Sequence, residues 1–160
     1  MQNKAIFLDR DGVINKERGE YTYLMSDFQL NAGILEFCKE VQQKGYLLII
    51  ITNQGGLARN VFTLENMEEC HRFMLDEFLK AGVRITELYY CPHHQAIGRC
   101  ICRKPDSLML EKAIARFNIN KDNSWFIGDN IRDSDAAKKA GIKSLKVEPN
   151  ENVLNYIDQF

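Results

Sequence analysis

Ile6-Phe7-Leu8-Asp9-Arg10-Asp11-Gly12-Val13-Ile14-Asn15 decides how this chain is read. Three apolar residues run into two aspartates one residue apart, and a glycine follows. A continuous apolar run near the chain start reads as a fully buried strand. Asp9 and Asp11 then fall at its C-terminal end, where the chain leaves the sheet. On an extended backbone, residues i and i+2 point to the same side. Two carboxylates so placed repel each other, and a cation between them relieves the repulsion. Mg²⁺ suits the position, because it takes one or two carboxylates and otherwise keeps water and phosphate oxygens. Gly12 allows a sharp turn. The same string also fits a polar turn after any strand, so the decision passes to the rest of the chain.

Outward from this stretch the pattern alternates. Lys16 to Asn31 is polar with Tyr21, Tyr23 and Phe28 in it, and reads as a loop or small flap. Ile34, Leu35, Phe37, Cys38 and Val41 have helical spacing, closed by Gly45. Tyr46 to Ile51 is the longest apolar run, and it reads as a strand ending at Thr52-Asn53-Gln54-Gly55-Gly56. Thr63 fits an N-cap, with Met67, Cys70, Met74 and Phe78 forming the next helical face before Gly82. Glu87 to Tyr90 is a short strand. Ser107 is placed to cap a helix with Leu110, Ala113, Ile114 and Phe117 on one face. Ser124 to Ile127 is a strand ending at Gly128-Asp129. A helix over about Ser134 to Ala140, a strand over Ser144 to Val147 and a closing helix from about Glu151 complete the chain.

Buried strands alternating with amphipathic helices predict an α/β three-layer sandwich around a parallel sheet. Ligands in such sheets bind beyond the carboxyl ends of the strands, at the topological switch point. Three of the apolar strands end in Asp9/Asp11, Thr52/Asn53 and Asp129, which the parallel arrangement brings to one edge. A carboxylate there can attack a phosphate monoester and form an aspartyl-phosphate that water then hydrolyses. The reaction needs a metal, donors for the equatorial oxygens and a proton for the leaving alcohol. Asp9 is placed to attack and Asp11 to move the proton. Thr52 and Asn53 can hold a phosphoryl oxygen, Lys104 brings positive charge, and Asp129 joins Asp9 and the chain near Asp11 around Mg²⁺. Asp133 falls one helical turn further, behind them. Taken singly, Lys104 reads as a solvated loop lysine, Asp129 and Asp133 as helix caps, and Thr52-Asn53 as a plain turn. Four such groups, each at its strand end, read as a site.

Asp9-Arg10-Asp11-Gly12-Val13-Ile14-Asn15, Thr52-Asn53-Gln54, Arg103-Lys104-Pro105 and Gly128-Asp129 resemble the four motifs of the haloacid dehalogenase-type phosphatases. Tyr89-Tyr90-Cys91-Pro92-His93-His94 and Cys102-Arg103-Lys104-Pro105 narrow the likeness to the branch of heptose-bisphosphate and histidinol-phosphate phosphatases, over nearly the whole chain. The resemblance implies a Rossmann-like fold, with Asp9 as nucleophile and Asp11 as general acid and base. It implies Asp9, Asp11 and Asp129 around Mg²⁺, with Thr52 and Lys104 stabilising the phosphoryl group. It further implies that Arg103 recognises the substrate, and that Glu17 to Tyr21 and Asn53 to Gly56 line the pocket. Arg59 and Asn130 join Glu17, Tyr21, Asn53, Gln54, Gly55 and Arg103 as expected substrate contacts. The expected reaction removes the C7 phosphate of a heptose 1,7-bisphosphate, a step toward lipopolysaccharide core precursors; histidinol phosphate is the alternative substrate. A receiver-like signalling domain and an inactive zinc-stabilised binding module are the competing classes. A receiver carries its phospho-accepting aspartate on a later strand, and nothing in folding alone asks for Asp9, Asp11, Lys104 and Asp129 together.

Three departures from the family pattern stand out. The loop between the cysteine pairs is short, Asn130 stands where many relatives carry lysine, and Gly55-Gly56 stands where Ser-Gly is commoner. The intervals Asp9 to Thr52 and Thr52 to Lys104 are filled by assigned elements, so no cap domain is expected, and residues 1–160 read as one domain.

Cys91-x-His93 and Cys100-x-Cys102 bracket a short loop. Three thiolates and an imidazole suit tetrahedral Zn²⁺, and four protein ligands leave a structural site with no open position. His94 is an alternative ligand. Composition fits a soluble globular chain, with 45% apolar and 27% charged residues among 160. A net charge of -1 argues against a nucleic-acid partner. No apolar run has membrane-spanning length, and the immediate entry into a strand argues against a signal peptide. The expectation is a cytoplasmic monomer acting on a small phosphorylated sugar.

Overall fold

A computed structural model describes residues 1–160. Five strands form one sheet: β1 (Lys4–Leu8), β2 (Tyr46–Asn53), β3 (Glu87–Cys91), β4 (Trp125–Gly128) and β5 (Lys143–Lys146). Their order is β3-β2-β1-β4-β5 and every pairing is parallel. The order reverses beside β1: the chain builds outward to β2 and β3, then returns to the other side for β4 and β5. The crevice between the ends of β1 and β4 is therefore the switch point. Leu8 pairs with Ile50 on one side and Ile127 on the other, so the residues that follow all three strands reach the same edge.

Four helices cover the sheet: α1 (Ile34–Gln43), α2 (Leu64–Lys80), α3 (Leu108–Arg116) and α4 (Ile131–Ala140). Alternation along the strands sorts the core into two layers. Ile6, Leu8, Leu48, Ile50 and Ile127 face Ile34, Phe37, Val41, Met74 and Phe78. Ala5, Phe7, Ile49, Ile51 and Phe126 face Met109, Leu110, Ala113, Ala136 and Ala140. Each large apolar side chain buried in this way stabilises the fold by about 1.5–3 kcal/mol before entropy is counted. The alanines of α4 let that helix lie close to β4, which is what brings its first turn over the strand ends.

The local signals explain most boundaries. Thr63 caps α2, its hydroxyl accepting from Asn66 N at 3.2 Å while the Asn66 side chain accepts from Thr63 N at 3.1 Å. Ser107 precedes α3 without a side-chain cap, its hydroxyl turning instead to Glu111. Two expectations shift. The fourth helix begins at Ile131 rather than near Ser134, because Asn130 and Asp133 form a reciprocal capping box one turn earlier. The closing segment is a 3-10 helix over Val153–Gln159 rather than an α-helix from Glu151, capped by Asn152. Within the flap, Met25–Asp27 makes a single 3-10 turn. No cap domain interrupts the sheet, and no helix is long and apolar enough to cross a membrane.

Candidate active site

Asp9 leaves β1 at the switch point and is 4% exposed. Its Oδ1 lies 2.8 Å from Lys104 Nζ and accepts from Arg10 N at 2.8 Å. Lys104 is itself 2% exposed, and its Nζ also lies 2.8 Å from Asp133 Oδ1 and donates to Ile51 O at 2.9 Å. Ile51 O accepts from the ammonium, and the Asp9 and Asp133 carboxylates lie at ion-pair distance from it. Asn53 fixes the lysine's backbone: its Oδ1 accepts from Lys104 N at 3.0 Å and its Nδ2 donates to Lys104 O at 3.1 Å. Asn53 works on the loop through its side chain and faces the site with its backbone.

Carboxylate oxygens of Asp9, Asp129 and Asp133 lie within 4.8 Å of one another. Burial and the Asp133 charge push Asp9 up to about 8, against the pull of Lys104. Burial and Asp133 push Asp129 up to about 6. Lys104 stays charged, since Asp9 and Asp133 outweigh its burial. One ammonium cannot neutralise three crowded carboxylates, and that deficit is what a hard divalent cation relieves. Asp133 is committed to Lys104 and to Asn130 N, the latter at 3.0 Å, which leaves Asp9 and Asp129 as the side chains able to hold Mg²⁺. Gly12 keeps the pocket open: its φ is +88°, and a Cβ there would collide with the Asp129 carboxylate.

Asp11 stands apart from that group. Its Oδ1 accepts from Arg10 Nη2 at 2.9 Å and Asn15 Nδ2 at 3.0 Å, and its Oδ2 from Gln54 Nε2 at 3.1 Å. The expected metal contact through its carboxylate has no counterpart in this arrangement. Burial opposes ionisation of Asp11, but Arg10, Asn15 and Gln54 together hold its carboxyl below the usual range. It rests as a carboxylate, ready to take a proton; a phosphate dianion beside it raises its affinity for one by like-charge repulsion. Gln54 Nε2 also donates to the buried Thr52 Oγ1 at 3.0 Å. Gln54 therefore positions Asp11 and Thr52.

A recess of about 260 Å³ opens beside Asp11. Glu17, Tyr21, Asn53, Gln54, Gly55 and Arg103 line it, together with Thr22, His94 and Arg132. Gly55 is needed there because a Cβ would press on His94 and Arg103. Arg59 borders a flanking hollow with Glu17 and Tyr21, whose hydroxyl it reaches at 3.4 Å. Asn130 does not line the recess; its Oδ1 accepts from Arg132 N at 3.2 Å, so its side chain serves α4.

Sequence reasoning passed over Arg10, which is wholly buried between the two aspartates. Its guanidinium joins Asp11, Thr22 O in the flap and His71 Nε2, the last at 3.2 Å. His71 accepts there as a neutral ring, its pKa pulled down to about 3 by burial and by Arg10. Only the oddity of an arginine inside an Asp-x-Asp string hinted at this.

Cys91, His93, Cys100 and Cys102 converge at the end of β3. Cys91 Sγ lies 3.7 Å from Cys100 Sγ and 3.2 Å from Cys102 Sγ. His93 Nδ1 lies 3.5 Å from Cys91 Sγ and 3.2 Å from Cys102 Sγ. The edges of a tetrahedron around Zn²⁺ measure about 3.5–3.8 Å for such donors; two of the four separations fall in that range and the two to Cys102 are shorter, so three thiols and an imidazole converge closely enough to share one ion. His94 is not among the four; its Nδ1 accepts from Ala96 N at 3.1 Å and its ring turns to Gly55.

The model of haloacid dehalogenase-like hydrolases matches residues 8–147, from the end of β1 past β5. The chain belongs to the haloacid dehalogenase-like hydrolases. Among curated members of the family, it is 43% identical over 145 residues to D-glycero-alpha-D-manno-heptose-1,7-bisphosphate 7-phosphatase of Campylobacter jejuni, covering 91% of this chain and 82% of that one. It is 40% identical over 152 residues to D-glycero-beta-D-manno-heptose-1,7-bisphosphate 7-phosphatase of Haemophilus ducreyi, covering 90% and 82%. Its fold superposes with a TM-score of 0.86 on D,D-heptose 1,7-bisphosphate phosphatase from B. bronchiseptica complexed with magnesium and phosphate, at 29% identity, over 98% of this chain and 87% of that one. These relatives are phosphatases, and the chain is an enzyme of that class.

Proposed function

We propose that this enzyme removes the C7 phosphate of D-glycero-D-manno-heptose 1,7-bisphosphate by way of an aspartyl-phosphate on Asp9. The observation that carries the chemistry is the cluster of buried Asp9 and Asp133, paired to one lysine, with half-buried Asp129 beside them and Asp11 held apart by its own donors. The similarity to heptose bisphosphate 7-phosphatases over nine-tenths of the chain supports the substrate. Asp9 Oδ attacks phosphorus as the bond to the C7 oxygen breaks. Asp11, protonated beside the bound phosphate, gives its proton to the departing alkoxide. The Asp11 carboxylate then takes a proton from water, whose oxygen attacks phosphorus and frees Asp9. Thr52 and Lys104 donate to the phosphoryl oxygens. Asp9 and Asp129 hold Mg²⁺, which supplies charge neutralisation for the transferred group. Cys91, His93, Cys100 and Cys102 hold a structural Zn²⁺ that stiffens the segment carrying Arg103 and Lys104. We further read the enzyme as a cytoplasmic monomer without a nucleic-acid or membrane partner.

Phosphate release from heptose 1,7-bisphosphate, histidinol phosphate and simple sugar phosphates, each with and without Mg²⁺, tests this. We expect the bisphosphate to lead and every rate to depend on Mg²⁺. Faster turnover of histidinol phosphate would change the substrate, and Mg²⁺-independent turnover would overturn the chemistry.

A further inference from the structure

The far end of the chain returns to the recess. β5 is followed by Glu148-Pro149-Asn150-Glu151. Proline presets φ at the second place of a tight turn, and asparagine is one of the few residues that accept a positive φ at the third. Asn150 has φ +67°, and Glu151 N donates to Glu148 O at 3.1 Å, which closes the turn. The Glu151 side chain braces it: Oε2 accepts from Glu148 N at 2.9 Å and Oε1 from the Tyr156 hydroxyl at 2.9 Å. Asn150 is therefore an exposed residue on a stiff support.

What it holds lies 133 residues earlier in the chain. Asn150 Oδ1 accepts from Glu17 N at 2.6 Å, and its Nδ2 donates to Glu17 O at 3.0 Å. The carboxamide thus satisfies both backbone groups of one flap residue, as a neighbouring strand would. The backbone N–H of Asn150 donates to Gly12 O at 2.8 Å. One residue ties the turn after Asp11 by its backbone and the flap by its side chain.

The flap has little else. Lys16 to Glu20 are all exposed, so core packing does not fix them. From Glu17 to Thr22 the backbone is bonded to other segments at two places, Glu17 through Asn150 and Thr22 O through Arg10. Between the two, Gly19 N donates to Glu17 Oε1 at 2.7 Å, so the turn over Gly19 hangs on the residue that Asn150 holds. The Arg18–Asp27 ion pair, at 3.0 Å, stays inside the flap. Glu17, Glu20, Tyr21 and Thr22 are the flap's share of the recess lining.

We propose that Asn150 is a positioning residue for substrate: its carboxamide fixes Glu17, and through it the flap wall, before the sugar phosphate arrives. The inference rests on the reading of the recess as the place where the sugar phosphate binds. A loop ordered in advance loses little freedom on binding, so removing the clamp weakens affinity and spares bond breaking. The two ties of Asn150 can be separated. Asn150→Gly removes the carboxamide, keeps the N–H that holds Gly12, and takes the positive φ without strain.

The experiment measures kcat and KM for heptose 1,7-bisphosphate, with Mg²⁺, in the wild type and Asn150→Gly. Beside them it measures the inhibition constant of inorganic phosphate, which has no sugar to meet the flap. We expect Asn150→Gly to raise KM about 5- to 20-fold, with kcat and the phosphate inhibition constant each within about twofold of the wild type. An unchanged KM overturns the proposal. So does a phosphate inhibition constant that rises as far as KM, or a fall in kcat of the same size, since each marks a general loosening of the site. A wild type that hydrolyses other monoesters but releases no phosphate from the bisphosphate overturns the substrate reading instead, and the same comparison on the ester it prefers still decides the clamp.

Discussion

The recess has two walls built on different terms. The inner wall stands at the ends of β1, β2 and β4: Asp9, Thr52 and Lys104 are buried there, Lys104 between Asp9 and Asp133 and the Thr52 hydroxyl held by Gln54. The outer wall is carried by the flap and the cysteine-histidine segment: Glu20 and Gln95 are exposed, and Arg103 and Arg132 have donors to spare. Rigid sheet ends hold groups to the tolerance that bond making requires, whereas loops can vary without disturbing the core. We expect the inner wall to carry the chemistry and the outer one the choice of substrate.

The hardest test of that division is Asp9→Asn, which should lower kcat by about 10⁴-fold or more, since an amide cannot serve as the nucleophile; retained activity in a steady-state phosphate assay would break it. Asp11→Asn should cost about 10²–10⁴-fold in kcat and leave Mg²⁺ affinity, measured by titration calorimetry, within about threefold of the wild type. A tenfold loss of Mg²⁺ affinity would return Asp11 to the metal. On the outer wall, Cys100→Ser should leave the protein without stoichiometric zinc in metal analysis and lower the Tm, with kcat/KM falling roughly 10-fold. An unchanged Tm and full activity would show that this wall stands without a metal. The smallest effect concerns the support behind Asp11. His71 titrates at about 3 when folded and at about 6.5 when unfolded. Between those values the unfolded chain binds the extra proton, so stability falls as pH drops through that window, by up to about 1.4 kcal/mol per pH unit. Denaturant midpoints for His71→Asn should show a shallower acid slope than the wild type, with little change at pH 8.

The inner wall was largely legible in the chain, because period and position sufficed: a buried apolar run ending in a carboxylate places that carboxylate at a sheet edge, and parallel pairing places several such ends together. The parallel sheet followed from the alternation of strands and helices, and the family from the motifs at those ends and in the cysteine-histidine segment. What escaped was set by contacts between distant elements. Arg10 reads as a surface cation until α2 brings His71 beside it and the flap brings Thr22. Asn130 reads as a pocket residue until its partnership with Asp133 shows it capping α4, which also moves the start of that helix. Arg132 had no signal in spacing at all; it reaches the recess from another element.

The charge count of the inner wall has a kinetic consequence. With its acids ionised, the group of Asp9, Asp129, Asp133 and Lys104 carries a formal -2, three carboxylates against one ammonium. Empty, that wall draws a divalent cation inward and drives a phosphate dianion away; filled, it is neutral and does neither. We therefore expect ordered addition, cation first and sugar phosphate second. The apparent KM for substrate should fall as Mg²⁺ rises, and raising the substrate concentration should restore turnover when the ion is limiting, because substrate bound to the loaded enzyme draws the cation on.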